Sequence, residues 1–240
     1  MSTSKITTPQ NRVPLTRERV LARAIALADE SGLEAVSMRT LAAELGVVPM
    51  ALYKHVANKD DLVSGMIDTV IAGYPEIESD LEWPAAIRRR IHAARRELLA
   101  HPWLRSAIEN ATIRTPTVIG YMDAVAGDFA AGGVSYDLTH YAMHALGHRI
   151  FGFSPEAFTD QASSAAPALS PEQQHAMATA FPHVAAIAMA AAKANPSGAC
   201  EPESEFDFTL NLILDGLRGL HRSGWTSTGE TTAPGIHPQH

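Results

Sequence analysis

Residues 37–62 read SMRTLAAELGVVPMALYKHVANKDDL, and the fold turns on how this stretch divides. Ser37 is placed to cap a short helix with its hydroxyl. Leu41, Ala42 and Leu45 then fall on one face, and Gly46 stops the helix. The turn Gly46-Val47-Val48-Pro49 leads into a second short helix, expected over about Pro49–Val56, where Pro49 in the first turn has no amide to lose. Asn58 caps the next helix, with Asp60 and Asp61 in its first turn and Leu62, Val63, Met66, Ile67 and Val70 facing inward. Short helix, glycine turn, short helix is the pattern of a helix-turn-helix, whose second helix enters the major groove while the first braces it. Small apolar residues (Ala42, Val47, Leu52) stand where the helices touch, and Met50, Ala51, Tyr53, Lys54 and His55 are available outside. From the pattern alone, the alternative is an ordinary αα-hairpin, since the unit holds one arginine, Arg39.

Upstream, Thr16 is an N-cap for a helix carrying Val20, Ala24, Ile25, Leu27 and Ala28 on its apolar face, and Gly32 ends it. Residues 1–14 read as a disordered arm. Downstream, an acidic connector (76–82) precedes helices over Trp83–Ala100, Trp103–Asn110, Thr115–Ala131 and Asp137–Phe153. A further helix over Pro171–Ala194 should kink or break at Pro182, and the last runs over Glu203–Arg222. Segments 154–170 and 195–202 read as loops, and 223–240 as a disordered tail. No segment sustains period-2 alternation, so the fold class is all-α. The expected domains are a helix-turn-helix head over 15–60 and a helical body over 61–222.

With 240 residues, 46% of them hydrophobic and 19% charged, the chain is long enough to fold without a staple. One cysteine, Cys200, excludes an intramolecular disulfide framework, and its acidic loop setting argues against a redox sensor. The first twenty residues lack the apolar core of a signal peptide, and no apolar run approaches membrane-spanning length, which points to a cytoplasmic protein with no membrane partner. The net charge of −7 is unevenly spread: residues 1–60 hold eight Lys/Arg against six Asp/Glu (+2), and 61–240 hold eleven against twenty (−9). A mildly basic head on an acidic body suits a DNA-reading module carried by a body that does not touch DNA.

The run Ser37–Val47, then Leu52-Tyr53-Lys54-His55-Val56 and Asn58-Lys59-Asp60-Asp61-Leu62, resembles the DNA-binding signature of the tetracycline-repressor (TetR) family of bacterial transcription regulators. The preceding Ala24–Val36 is similar to that family's first helix. Weaker echoes of its ligand-binding half occur at His101-Pro102-Trp103, Gly152-Phe153 and Leu214-Asp215-Gly216-Leu217. The resemblance implies that Arg39 contacts a base or phosphate and that Pro49, Met50, Ala51 and Lys54 lie on the recognition helix. Tyr53, His55 and Lys59 would grip the phosphate backbone, as would Thr16 from the start of the first helix. Val48, Pro49 and Met50 depart from the polar base-readers common in relatives. The resemblance further implies a homodimer, joined through the 203–222 and 137–153 helices, that represses from a near-palindromic double-stranded operator and is released by a small-molecule effector.

Candidate effector contacts are the large or polar residues of the body helices: Trp103, Asn110, Arg114, Tyr121, Met122, His144, Phe151 and Phe181. His140, His144 and His148 share one helical face and raise a rival reading, a metal-dependent helical-bundle enzyme or metal-responsive binder using His140 and His144. The third histidine lies about 12 Å along the axis from the first, too far for one ion, and no HExxH run, carboxylate partner, P-loop, GxGxxG or GxSxG occurs. The expectation is therefore no catalytic residue, no metal and no resident cofactor. Arg88–Arg90 with Arg95 and Arg96 read as a solvated helix face.

Overall fold

The structure, a computed structural model, describes residues 14–78, 80–111, 114–151, 170–194 and 202–229. Residues 1–13, 152–169, 195–201 and 230–240 lie outside this set, and with them the expected arm, Cys200, both expected loops but for an end residue, and most of the expected tail. The side chains of His148 and Phe151 also lie outside it.

The first compact unit ends at Tyr136. It contains α1 (Arg17–Ser31), α2 (Met38–Leu45), α3 (Pro49–Leu52), α4 (Lys59–Ala72), α5 (Trp83–Ala100), α6 (Pro102–Asn110) and α7 (Pro116–Ala131), with a single 3-10 turn at Leu33–Ala35. Three caps are those the sequence suggests, Thr16 accepting from Arg19 N, Ser37 from Thr40 N and Asn58 from Asp61 N, and Thr115, read from the sequence as the first residue of its helix, caps it instead by accepting from Val118 N. Inward-facing Val20, Ala24, Leu41, Leu52, Leu62 and Met66 are wholly buried. Trp103, Leu104 and Ala107 of α6 complete the same cluster, so the head and α6 share one core.

α3 is shorter than expected, ending at Leu52 rather than near Val56. The chain leaves the helix because two of the following backbone groups have partners elsewhere. Arg17 donates to the His55 carbonyl (2.6 Å) and to both oxygens of Asp61 (2.7 and 3.2 Å), while Asp61 accepts from Ala57 N (2.7 Å). α1, the end of α3 and the start of α4 are thus tied at one guanidinium. α4 approaches α1 closely at Gly65, where an added Cβ would stand 2.8 Å from Leu21 Cδ2.

Farther along, Trp83 lies on Phe129 with ring centroids 5.3 Å apart and covers Gly132. The arginine cluster is not uniformly solvated. Arg90 and Asp128, each with 17% of its side chain exposed, pair at 2.5 Å between α5 and α7, because their carrier helices pack together there. Arg89 reaches Glu78 at 3.0 Å on the surface.

The second unit runs from Asp137 and includes α8 (Tyr136–Phe151), α9 (Pro171–Ala180), α10 (Pro182–Ala194) and α11 (Pro202–Arg222). The segment expected to kink or break at Pro182 does break, into two helices parted at Phe181, because Pro182 has no amide to continue the ladder. α8 buries Leu138, Ala142 and Leu146, and α11 buries Phe206, Leu210, Leu214 and Leu217, each a stripe at helical spacing. Residues 223–229, assigned by the sequence to a disordered tail, are instead folded back on α8. Trp225 meets Tyr141 edge to face at 5.4 Å, and Ser227 N donates to Asp137 at 2.7 Å, two partners that composition does not reveal.

Gly132→Ala should destabilise by about 1–3 kcal/mol in a urea melt, since its Cβ would stand 2.6 Å from Trp83 Cγ and 2.8 Å from Trp83 Cβ. Gly120→Ala, on α7 with open space around it, should instead stabilise by up to about 1 kcal/mol. The Arg17 guanidinium, then the Ala57 amide, holds the Asp61 carboxyl below its usual range. A depressed folded-state pKa adds stability that is full above the unfolded value of about 3.9 and is lost as pH falls through the folded value. Asp61→Asn should therefore lower the unfolding free energy at pH 7 by about 1 kcal/mol or less for so exposed a pair, with a lower Tm, and the gap to the parent should close in melts below about pH 4.

Candidate nucleic-acid interface

The reading unit begins at a reciprocal cap. Thr40 N donates to Ser37 Oγ at 3.1 Å, and Ser37 N donates back to Thr40 Oγ1 at 3.0 Å. This fixes the start of α2 and places Arg39 at its exposed second position. At the other end Gly46 adopts a left-handed conformation (φ +66°), and Val47 N closes on the Ala42 carbonyl at 2.9 Å. A side chain at 46 would be strained in that conformation, which is why glycine stands at the turn. Val48 is extended and Pro49 opens α3.

Leu52 and Val56 anchor α3 in the core, at 0% and 1% exposure. The opposite side is presented to solvent: Val48 (67%), Met50 (72%) and Tyr53 (47%). Pro49, Lys54 and Lys59 are exposed with them, while Ala51 and His55 are half-buried. Thr16 is exposed at the N-terminus of α1, its hydroxyl oxygen serving as the helix cap. Every candidate DNA contact named from the sequence is therefore at least partly accessible.

Charge within the head is divided between structure and surface. Arg17 is committed to Asp61, and Arg23 to Glu44 (2.7 Å) and Glu30 (3.2 Å). Among the described residues no carboxylate pairs with Arg39, Lys54 or Lys59. Those three cations, with the Tyr53 phenol, supply what a phosphate backbone needs.

The candidate effector contacts are dispersed. Trp103 is buried in the head core, its Nε1 donating to Asp29 of α1 at 2.7 Å, and His101 Nδ1 stands 2.8 Å from the same oxygen. Tyr121 packs on that core and edge to face with Tyr74 at 5.3 Å; burial pushes its hydroxyl up to about 12. Asn110 binds the Ser106 carbonyl of its own helix at 2.8 Å. Arg114 lies on a cleft between α4, α6 and α7, lined also by Ser64, Ile67, Ile108, Ala111, Thr115 and Val118. The cleft encloses about 10 Å³, room for one water at most. Thr115 Oγ1 donates to Asp68 beside it, tying α7 to α4. Met122 is exposed on α7, and in the second unit His144 and Phe181 are exposed too. His140 and His144 meet edge to face at 4.7 Å, and among the described residues no group of three or more His, Cys, Asp or Glu is placed to hold a metal. Sequence reasoning missed Asp29, Arg17 and Asp61 as organising residues, because their partners lie tens of residues away and no spacing links them.

Comparison with known proteins agrees with this geometry. The family description "Bacterial regulatory proteins, tetR family" matches residues 20–66, and "Tetracyclin repressor-like, C-terminal domain" matches 75–220. HTH-type transcriptional repressor DrrR1 of Streptomyces coeruleorubidus is 38% identical over 117 residues, 46% of this chain and 42% of that one. The class C tetracycline repressor of Escherichia coli is 27% identical over 209 residues, 86% of this chain and 92% of that one. The chain thus spans less than half the length of DrrR1 but nearly all of the class C repressor. Among solved structures, ActR of Streptomyces coelicolor in complex with (S)-DNPA superposes with a TM-score of 0.65 at 26% identity, covering 87% of this chain and 100% of that one. ActR in complex with actinorhodin gives 0.63 at 27%, covering 86% and 98%. With a helix-turn-helix head, an all-helical body and a family description covering each, the chain belongs to the TetR family of bacterial regulatory proteins.

Proposed function

We propose that this protein is a homodimeric transcriptional repressor that binds a near-palindromic double-stranded operator and is released by a small-molecule effector. The observation that carries this reading is the exposed surface of α2, α3 and the start of α4. Arg39, Lys54 and Lys59 stand there without carboxylate partners among the described residues, on a head braced from behind by α1 and α4. The functional division follows: residues 15–60 read DNA, and 61–222 dimerise and take the effector. Binding DNA places the protein in the cytoplasm. The reading assigns no catalytic step.

Two features support the effector half. ActR is seen with small molecules bound, and α6 is joined to the head through Trp103 and Asp29. A molecule that prefers one arrangement of the body must by linkage weaken DNA binding in any arrangement it disfavours, and DNA weakens it equally. Trp103, Asn110, Arg114, Tyr121, Met122, His144, Phe151 and Phe181 remain the candidate contacts. For the dimer, α11 presents Phe208 (65% exposed) and Leu212 (58%) one turn apart, opposite its buried stripe.

The primary test is binding to promoter-proximal DNA from the protein's own locus over a salt series. Specific binding should weaken steeply with salt and vanish in Tyr53→Ala/Lys59→Ala. Lys54→Ala should reduce the slope of log affinity against log salt by about one per head. Binding no stronger than to random DNA overturns the reading. In light scattering the parent should have twice the chain mass of 25.7 kDa, and Phe208→Glu/Leu212→Glu should shift it to the monomer.

A further inference from the structure

The solvent side of the reading unit carries no hydrogen-bonding side chain where bases would be met. Residues 47–52 are Val, Val, Pro, Met, Ala and Leu, and Pro49 lacks a backbone N–H as well. Val48 and Met50 are nevertheless 67% and 72% exposed, while the head's own core closes completely over Leu41, Leu52 and Leu62. Two large apolar side chains therefore stand in water for no reason internal to the fold. The next residues, Tyr53 and Lys54, are polar and exposed, as is Arg39 on the bracing helix, and neither cation is matched by a carboxylate among the described residues.

An apolar tip beside exposed cations complements the major groove. Phosphates line its rims, and its floor carries one apolar group, the C5 methyl of thymine. The other distinguishing groups on that floor are donors and acceptors. Pressed against those, Val48 and Met50 would strip water from polar atoms and return no hydrogen bond. Pressed against a methyl, they bury apolar surface on both sides.

We propose that Val48 and Met50 read thymine methyl groups, so that this head selects A·T pairs beneath the tip of α3 by apolar contact. The inference rests on the DNA-binding reading above and names what that face recognises. Arg39 and Lys54 then position the head on phosphates or flanking guanines, and the central discrimination lies in the methyls.

The test starts from the full-length protein and a random duplex library, from which bound sequences are enriched. The enriched half-site should hold thymine at the positions under the tip. Replacing those thymines with uracil removes only the C5 methyl and should weaken binding about four-fold per methyl, the equivalent of one buried methyl group. In Met50→Ala the thymine-to-uracil ratio should fall toward one, whereas Lys54→Ala should weaken both duplexes and keep the ratio. Both positions are exposed, and unchanged thermal melts confirm the fold of each variant. Equal binding to the thymine and uracil duplexes, or an enriched half-site without thymine, overturns this inference and leaves the regulator reading standing. No enrichment of any sequence overturns both.

Discussion

The guanidinium of Arg17 holds the reading head in shape. It spans three elements that are far apart in the chain: its own helix α1, the backbone carbonyl of His55 just past α3, and the carboxylate of Asp61 in the first turn of α4. Without it, the carbonyl of His55 and the amide of Ala57 would have every reason to continue the helical ladder. With it, the chain turns after one turn of α3 and starts α4 at Lys59, capped by Asn58. A recognition helix this short has little stability of its own, because nucleation consumes most of what its few hydrogen bonds return. Its orientation is thus a property of the clamp and of Leu52 and Val56 beneath it, not of its own propensity.

That use of charge explains how residues 1–60, with a net charge of only +2, can face a polyanion. Arg17 and Arg23 are committed to ion pairs at the surface of the head, where they tie its helices together, and their carboxylate partners are neutralised along with them. What remains outward includes Arg39, Lys54 and Lys59, which no carboxylate pairs with among the described residues, beside an apolar tip. The acidic body repels phosphate and leaves the head as the favourable approach. Such a division favours a protein whose affinity comes from backbone contacts and whose selectivity comes from shape and apolar contact.

The same economy links the head to α6. Asp29, near the end of α1, accepts from the indole of Trp103 and lies against His101, so one carboxylate meets two aromatic side chains from the start of α6. Trp103, Leu104 and Ala107 belong to the head's own core. No slack layer separates the reading helices from the first helices of the body. Any displacement of α6 must be accommodated by α1, because a packed core shifts as a unit rather than deforming continuously.

Much of this was legible in the sequence. Caps at Thr16, Ser37 and Asn58, the stop at Gly46 and the break at Pro182 are local chemistry, written within four residues of where they act. So are the all-helical class and the solvent-facing residues of the reading unit, because helical periodicity alone assigns them a side. Four features were decided only by the tertiary structure. They are the early end of α3, the burial of Arg90 against Asp128, the folding of residues 223–229 onto α8, and the capture of Trp103 by Asp29. Each is a contact between residues tens of positions apart, made by a charge, a ring or an amide whose partner no local spacing can announce. Propensity and period determine which residues face in and which face out; which inward groups meet is settled only when the helices pack.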